Sequence, residues 1–321
     1  MKKINKHTLI HIAFIAIAII VILLIGDKIL SFINGTVISD EEFNNAAENV
    51  QEIENMDYIL PVVLSEGQAW SDDGVNTVVC FGNAPFADDR DSKDNLCNMI
   101  ADLTGATVYN LSFPDSTLSH KDDLDGPYMF SFYWLTTGFC IDNYSIYENL
   151  EKIENYDPLW DETIDLMRSI DFNEVDTIVI MYDATDYLLG RPIYSIANAQ
   201  DPYQFTGAMT AGIELIKTYY PHIRIIVSSP TYAFGLEEDG SYVSSDIKTY
   251  GETYLSTYVV KQSDASYDLS VSFIDNIYGT IHEDIAPDYL TDHIHLNQAG
   301  RKLVAQRIAD AINKYPEPVF Q

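Results

Sequence analysis

The sequence predicts an α/β fold of three layers (α/β/α), in which helices cover both faces of a five-stranded parallel sheet. Two observations lead to this fold class. Short apolar runs rich in β-branched residues recur along the chain, and helical patterns separate them. The runs are continuously apolar, as is typical of strands buried on both faces. We therefore expect the functional side chains on loops that follow the carboxyl ends of the strands.

The predicted elements follow one another in regular order. The apolar runs predict strands at 76–81, 106–111, 176–182, 223–228 and 271–275. The 3.6-residue spacing of apolar side chains predicts helices at 93–104, 204–218, 246–260 and 298–313. Asn297 is the expected N-cap of the last helix, because its side chain can accept a hydrogen bond from an unpaired N–H of the first turn.

An insertion at about 118–171 interrupts this alternation. It contains an aromatic-rich stretch at 126–147 and a second helical pattern at about 159–169. One interpretation is a lid or a sugar-stacking platform beside the cleft. The other is a helix that packs on the domain through a buried aromatic face, formed by Phe130, Phe132, Trp134, Leu135 and Phe139.

Residues 8–26 form an apolar run without a charged side chain. As a helix this run would span roughly 28 Å, close to the hydrocarbon thickness of a bilayer. Lys2, Lys3 and Lys6 precede it, so the positive-inside rule predicts a cytoplasmic N-terminus at 1–7. A cleaved signal peptide is the rival interpretation, but its apolar region would be shorter and would end in small residues. We expect an uncleaved signal anchor, a transmembrane helix that makes the chain a single-pass protein of the cell membrane.

The rest of the chain is expected outside the cytoplasm, as an acidic membrane-proximal segment at 27–75 and one domain at 76–315. The formal net charge is −31, and all 49 acidic residues follow the apolar run. A field of this sign repels nucleic acid and anionic lipid head groups. We therefore expect no nucleic-acid partner, and contact with the membrane through the N-terminal helix.

The cysteines and histidines predict neither a disulfide framework nor a metal site. Cys80 lies in an apolar strand and Cys97 in a predicted helix, so buried free thiols are expected. A disulfide between Cys97 and Cys140 is the alternative in an oxidising compartment. His282 and His293 are scattered, without the spacing of a metal-ligand cluster, and we expect no metal.

The motif with the clearest chemistry is DHIHLN at 292–297, immediately before the last helix. Asp292 and His295 stand three residues apart on a loop that a strand feeds. Such a loop can hold an imidazole over a cleft, while the carboxylate fixes the tautomer of the ring. We predict that His295 is a general base and that Asp292 orients it.

The block DHIHLNQAG at 292–300 resembles the closing D-x-x-H block of the SGNH/GDSL hydrolase family, and the resemblance covers roughly 76–313. It implies the three-layer, flavodoxin-like α/β/α fold described above. It also implies an esterase or acyl-transfer enzyme that acts on envelope or extracellular glycans without a metal or organic cofactor. Asp292 and His295 would be two members of its catalytic triad.

The other blocks of the family match in place but not in residue. In VVCFGNAPF at 78–86, Ala84 stands where the family has its nucleophilic Ser, and a methyl group cannot attack a carbonyl. In NLSFPDST at 110–117, Pro114 or Asp115 stands where a Gly would give a backbone N–H to the oxyanion.

The third block, DATD at 183–186, has Thr185 in place of an oxyanion-binding Asn. A hydroxyl can still donate one hydrogen bond. Asn83, Thr185 and Asp186 are therefore the candidate oxyanion- or substrate-binding residues.

Two hypotheses follow from these departures. In the first, the chain is an enzyme whose nucleophile has moved to Ser112 or Ser116, or in which His295 activates water directly. The competing explanation for these serines is ordinary turn chemistry. In the second hypothesis the domain is catalytically inactive, and it binds an acylated glycan or another ester ligand or assists a membrane acyltransferase.

Overall fold

The central sheet of the computed structural model has five parallel strands, and the structure describes residues 56–66, 74–121, 126–251, 253–314 and 316–320. The strands are β1 (Val63–Leu64), β2 (Thr77–Gly82), β3 (Thr107–Asn110), β4 (Thr177–Met181), β5 (Arg224–Ser228), β6 (Gly235–Leu236), β7 (Tyr242–Val243), β8 (Ser272–Ile274) and β9 (Val319–Phe320). The central sheet has the order β3-β2-β4-β5-β8, and every neighbouring pair is parallel. The five predicted strands and their parallel arrangement are confirmed.

The helices lie between these strands. They are α1 (Ala84–Ala87), α2 (Leu96–Thr104), α3 (Phe132–Ile141), α4 (Pro158–Ser169), α5 (Thr185–Leu188), α6 (Phe205–Tyr219), α7 (Leu255–Asp268), α8 (Ala286–Tyr289) and α9 (Gln298–Asn313). Helix α2 packs against α9, whereas α3 packs against α6 and α6 against α7. Strands β2, β4 and β5 are almost wholly buried between these groups, as the continuous apolar runs predicted. The three-layer α/β/α fold is confirmed.

The helix predicted at 246–260 was placed too early. Helix α7 begins at Leu255, after Tyr254 in an extended conformation. The residues just before it are not helical, because Tyr250 and Thr253 form an antiparallel bridge. The backbone N–H and C=O groups of these two residues bond to each other and not along a helix.

The aromatic stretch of the insertion supplies core side chains. Phe81 of β2 packs against Phe139 with ring centroids 5.4 Å apart and against Phe132 at 5.9 Å. Phe130 stacks on Phe113 with ring centroids 4.0 Å apart. The structure thus agrees with the packing interpretation of this stretch.

Residues 56–66 contribute hydrogen bonds to the domain, although the sequence placed them in the membrane-proximal segment. Strand β1 pairs with β9, and Tyr58 forms an antiparallel bridge with Phe273 of β8. The domain boundary drawn from the sequence at residue 76 therefore leaves out a segment that covers one edge of the central sheet.

The predicted anchor at 8–26 lies outside the described residues. Within the described ranges, no helix is both long and apolar enough to cross a membrane. Cys80, Cys97 and Cys140 are all buried free thiols, so the alternative disulfide between the last two is not formed in this structure.

Candidate functional site

The loop before α9 holds an Asp–His pair. Oδ2 of Asp292 lies 2.7 Å from Nδ1 of His295. Oδ1 of Asp292 accepts hydrogen bonds from the backbone N–H groups of Ile294 and His295, both at 2.8 Å. Asn297 caps α9 as predicted, since its side chain accepts a hydrogen bond from the N–H of Gly300 at 3.0 Å. The carboxylate is thus fixed by the loop and in turn fixes the imidazole.

Three carboxylates act on the charge of His295. Burial lowers the pKa of His295, but Asp292, Asp88 and Asp183 together raise it above its ordinary value. For Asp292, burial raises the pKa, but the hydrogen bonds from His295 and Ile294 outweigh it and the pKa is lowered. The pair therefore favours a carboxylate beside an imidazolium. His295 becomes a neutral base only at a higher pH than an isolated histidine would.

The turn after β2 begins at a glycine that the sheet requires. A Cβ on Gly82 would lie 1.9 Å from the backbone oxygen of Met181, so no other residue allows β2 and β4 to approach this closely. Asn83 follows as the residue before α1, and Ala84 is the first helical residue. Ala84 is only 6% exposed. The turn has the architecture of a nucleophile turn, but its first helical side chain is a methyl group.

Asn83 links three segments of the site. Its Nδ2 donates to the backbone oxygen of Ser116 at 2.9 Å and to Oδ1 of Asp183 at 2.7 Å. Its Oδ1 accepts the backbone N–H of Asp183 at 2.8 Å. Both amide hydrogens of Asn83 are therefore already used, and this side chain cannot also polarise a substrate carbonyl.

Asp183 lies where the resemblance implied oxyanion donors. It is buried, and its Oδ1 also accepts the backbone N–H of Thr185 at 2.9 Å. Burial raises the pKa of Asp183, while hydrogen bonds from Thr185 and Asn83 and the charge of His295 oppose this effect. Two of the three predicted oxyanion-binding residues, Asn83 and Thr185, thus bond to a carboxyl group. An ionised carboxyl group would repel a developing oxyanion.

Asp186, the third of these residues, anchors the loop that leads into the insertion. Its carboxylate accepts backbone N–H groups from Leu118 at 2.9 Å and Ser119 at 3.1 Å, and also the Ser119 hydroxyl. Arg191 donates to the same hydroxyl at 3.1 Å. Burial raises the pKa of Asp186 to about 6. These bonds give Asp186 a structural role at the edge of the site.

The alternative nucleophiles are fully buried and make local bonds. Ser112 donates from Oγ to Oδ1 of Asn110 at 2.5 Å, and its hydroxyl also accepts from the Arg90 guanidinium at 3.1 Å. Ser116 donates from Oγ to the backbone oxygen of Phe113 at 2.9 Å. These contacts favour the turn chemistry of both serines over a nucleophilic role.

Sequence reasoning assigned no role to Asp183 and did not connect Asp88 with the base. Asp183 is the second residue after β4, at the carboxyl end of the sheet, where functional groups are expected, and this position was the signal available. Among the described residues, no group of three His, Cys, Asp or Glu side chains could hold a metal ion.

Structural comparison relates this arrangement to solved proteins. A protein from Lactobacillus plantarum superposes with a TM-score of 0.53 at 15% identity, over 75% of this chain and 98% of that one. At this identity the likeness shows a shared fold, which here is a three-layer α/β/α domain with a parallel five-stranded sheet. A weaker likeness is to Est24, a carbohydrate acetylesterase from Sinorhizobium meliloti, at 15% identity and a TM-score of 0.46 over 74% of this chain and 98% of that one.

The native aryl esterase of M. smegmatis is similar at 14% identity and a TM-score of 0.47, over 75% of this chain and 100% of that one. No protein-family model matches the sequence, and no curated protein matches it. At these identities the likeness concerns the fold, so the chemistry has to be argued from the side chains. This chain has the Asp292–His295 pair, and it has Ala84 at the position where the resemblance implies a nucleophilic serine.

Proposed function

We propose that this chain is an SGNH-fold domain that binds an acylated glycan without forming an acyl-enzyme. One observation carries the proposal. Asp183 is buried beside the nucleophile turn, where Asn83 and Thr185 donate hydrogen bonds to it, and Ala84 replaces the serine. The side chain of Asn83 and the backbone N–H of Thr185, which could otherwise stabilise a tetrahedral oxyanion, therefore donate to a carboxyl group.

The magnitudes favour binding over turnover. Loss of the serine of a Ser-His-Asp triad costs about 10⁶ in rate, and the remaining acceleration of about 10³ comes from substrate binding and the oxyanion donors. Here Asn83 already uses both of its amide hydrogens. A carboxylate at Asp183 also raises the energy of any anionic intermediate, so the acceleration that the oxyanion donors would supply is lost as well.

A cavity on the same end of the sheet supports a glycan as the ligand. It has a volume of about 460 Å³ and lies beside Asp115, which follows β3. The insertion contributes Tyr128, Asn155, Asp157 and Trp160 to its lining. A mixture of aromatic edges and polar groups suits a sugar, which has both C–H and hydroxyl surfaces. The acidic lining and the net charge of −31 favour a neutral or amino sugar over an anionic one.

The proposal includes the cell membrane and a partner within it. The uncharged run at 8–26 is long enough to anchor the domain outside the cytoplasm. A membrane acyltransferase is then a suitable partner, since its acylated product would be the ligand of this domain.

A second candidate function rests on the Asp292–His295 pair. Its Nδ1–Oδ2 distance of 2.7 Å is that of a working orienter and base. In this alternative, His295 activates a water molecule that attacks the ester directly, and the rate rises as His295 loses its proton.

Acetate release from a small acetyl ester separates the two functions. We expect the full-length parent chain and Ala84→Ser to release acetate no faster than buffer. Adding Asp183→Asn to Ala84→Ser removes the charge and keeps an acceptor for Asn83, so this double variant should gain at least about tenfold. Adding His295→Ala to the double variant should abolish the gain. If the parent chain is active and His295→Ala is not, the water mechanism is correct and the binding proposal is wrong.

Binding is measured on the parent chain with a panel of O-acetylated oligosaccharides. The melting temperature should rise with ligand concentration, because a ligand that binds only the folded state stabilises it. A parent chain that neither releases acetate nor responds to any member of the panel would contradict both functions.

A further inference from the structure

The β6–β7 hairpin presents an aromatic side chain beside the Asp–His loop. Tyr242 of β7 pairs in register with Leu236 of β6, and its side chain is 54% exposed. Its ring stacks on Phe234, with ring centroids 5.7 Å apart and an interplanar angle of 18°. Because Phe234 covers one face of the ring, the exposed surface of Tyr242 belongs mainly to the other face and the edge.

This ring is connected to the base by two further contacts. The ring of His293 lies 6.0 Å from that of Tyr242, at an angle of 50°. Nδ1 of His293 is 3.9 Å from Oδ1 of Asp292, and the other oxygen of Asp292 contacts His295. The backbone N–H of Phe234 donates to the backbone oxygen of His293 at 2.8 Å, which fixes the hairpin to the loop. Tyr242 therefore contacts His293, and His293 and the base His295 share the carboxylate of Asp292 as a neighbour.

We propose that Tyr242, supported by Phe234 and His293, is a subsite that stacks against a pyranose ring of the ligand. This inference rests on the proposed function and adds a sugar subsite separate from the cavity at Tyr128 and Trp160. The C–H face of a pyranose is apolar and suits a flat aromatic ring, whereas its hydroxyl groups suit the phenol oxygen of Tyr242 and the imidazole of His293. A sugar stacked there lies beside the loop that holds His295.

The hairpin also restricts the charge of the sugar. Its turn carries Glu237, Glu238 and Asp239, and all three residues are exposed. Lys248 pairs with one of the three, Glu237, at 3.1 Å, so the turn remains acidic. Anionic sugars, such as uronic acids, would meet this charge at close range and bind less tightly. The subsite is therefore specific for neutral or amino sugars.

The hairpin is held by bonds that do not involve the Tyr242 side chain. The backbone N–H of Leu236 donates to the hydroxyl of Tyr250 at 2.9 Å, and the hydroxyls of Tyr232 and Ser244 are 2.8 Å apart. Substitution of Tyr242 should therefore leave the hairpin in place, which makes the subsite testable.

The experiment measures dissociation constants of the full-length chain for neutral, amino and uronic-acid oligosaccharides, each with and without O-acetyl groups. We expect Tyr242→Ala to weaken binding of the neutral and amino forms by about tenfold. Tyr242→Phe keeps the ring and should stay within about twofold. Tyr219→Ala is the matched control, since Tyr219 is 50% exposed but lies before β5, at the amino end of the strands and so opposite the site.

Each outcome bears on a different statement. If the parent chain binds and Tyr242→Ala binds equally well, the subsite is wrong and the proposed function stands. If uronic-acid forms bind as tightly as neutral ones, the charge selectivity is wrong. If the parent chain binds no oligosaccharide of the panel, the proposed function fails and the subsite fails with it.

Discussion

The two halves of the site lie at the same end of one sheet, but the pKa of the carboxyl group is lowered in one half and raised in the other. On the base side, Asp292 is partly exposed, contacts His295 and has a lowered pKa. On the nucleophile side, Asp183 is buried and its pKa is raised, although Asn83 and Thr185 donate to it. The base side forms within four consecutive residues. The nucleophile side requires three separate segments to fit together, and here they form a buried polar network in place of an oxyanion site.

The network on the nucleophile side should matter most for stability. We expect Asn83→Ala to lower the free energy of unfolding by about 3–4 kcal/mol, because it removes a donor to a buried carboxyl group and leaves the backbone oxygen of Ser116 without this partner. Urea unfolding of the parent and variant chains measures this loss.

Asn98→Ala is the matched control for that substitution. Asn98 is exposed on α2, and its Nδ2 donates to the backbone oxygen of Ser92 at 2.7 Å. Its loss should cost about 0.5 kcal/mol or less. If the two alanine variants are equally stable, the buried network does not hold the nucleophile side together.

Sequence reasoning found the base side and misjudged the nucleophile side for the same physical reason. The spacing of Asp292 and His295 is local, so the motif alone predicted their contact. The partners of Asn83 are 33 and 100 residues away, and no local pattern specifies such contacts. The predicted strands agree with the structure because short, continuously apolar runs bounded by turn residues are typical of buried strands. The start of α7 was wrong because the bridge between Tyr250 and Thr253 takes backbone groups that a helix would have used.

The second prediction concerns pH and the buried carboxyl groups. Asp186 has a pKa of about 6 in the folded chain, raised from 3.8 by burial. Its stabilising contribution is complete below pH 3.8 and is lost as the pH rises through about 6. A tenfold change in proton affinity corresponds to about 1.4 kcal/mol, so the expected loss is about 2–3 kcal/mol. Asp88, Asp183 and Asp275 act in the same direction, since burial raises each of their pKa values.

Unfolding free energies between pH 4 and pH 7 test this prediction on the parent chain and on Asp186→Asn. The variant should be less stable overall, since the NH2 group of Asn replaces one of the two oxygen atoms with which Asp186 accepts hydrogen bonds. Its stability should depend less on pH. Carbon-13 NMR of the carboxyl groups gives the pKa directly. An Asp186 that titrates near 4 would contradict the burial argument.

The smallest effect is expected from the base side. Asp292 and His295 have side chains that are 39% and 37% exposed, so their coupling should be only about 1 kcal/mol. The pKa of His295 is raised, so this contribution is present below its ordinary pKa and is lost as the pH rises through the folded value. The pKa of Asp292 is lowered, so the contribution is also lost as the pH falls through the folded value of that carboxyl.

A double-mutant cycle of Asp292→Ala and His295→Ala isolates this coupling. The coupling should be largest near pH 5–6, which lies between the ordinary pKa values of the two groups. It should be close to zero at pH 9, which lies above both of them. A coupling that stays constant over this range would mean that the hydrogen bond from the neutral imidazole to the carboxylate contributes as much as the ion pair. A coupling of about 1 kcal/mol is a small part of the stability of a domain, which is typically 5–15 kcal/mol. Stability alone is therefore a weak reason for this pair, whereas a ligand that contacts His295 is a sufficient one.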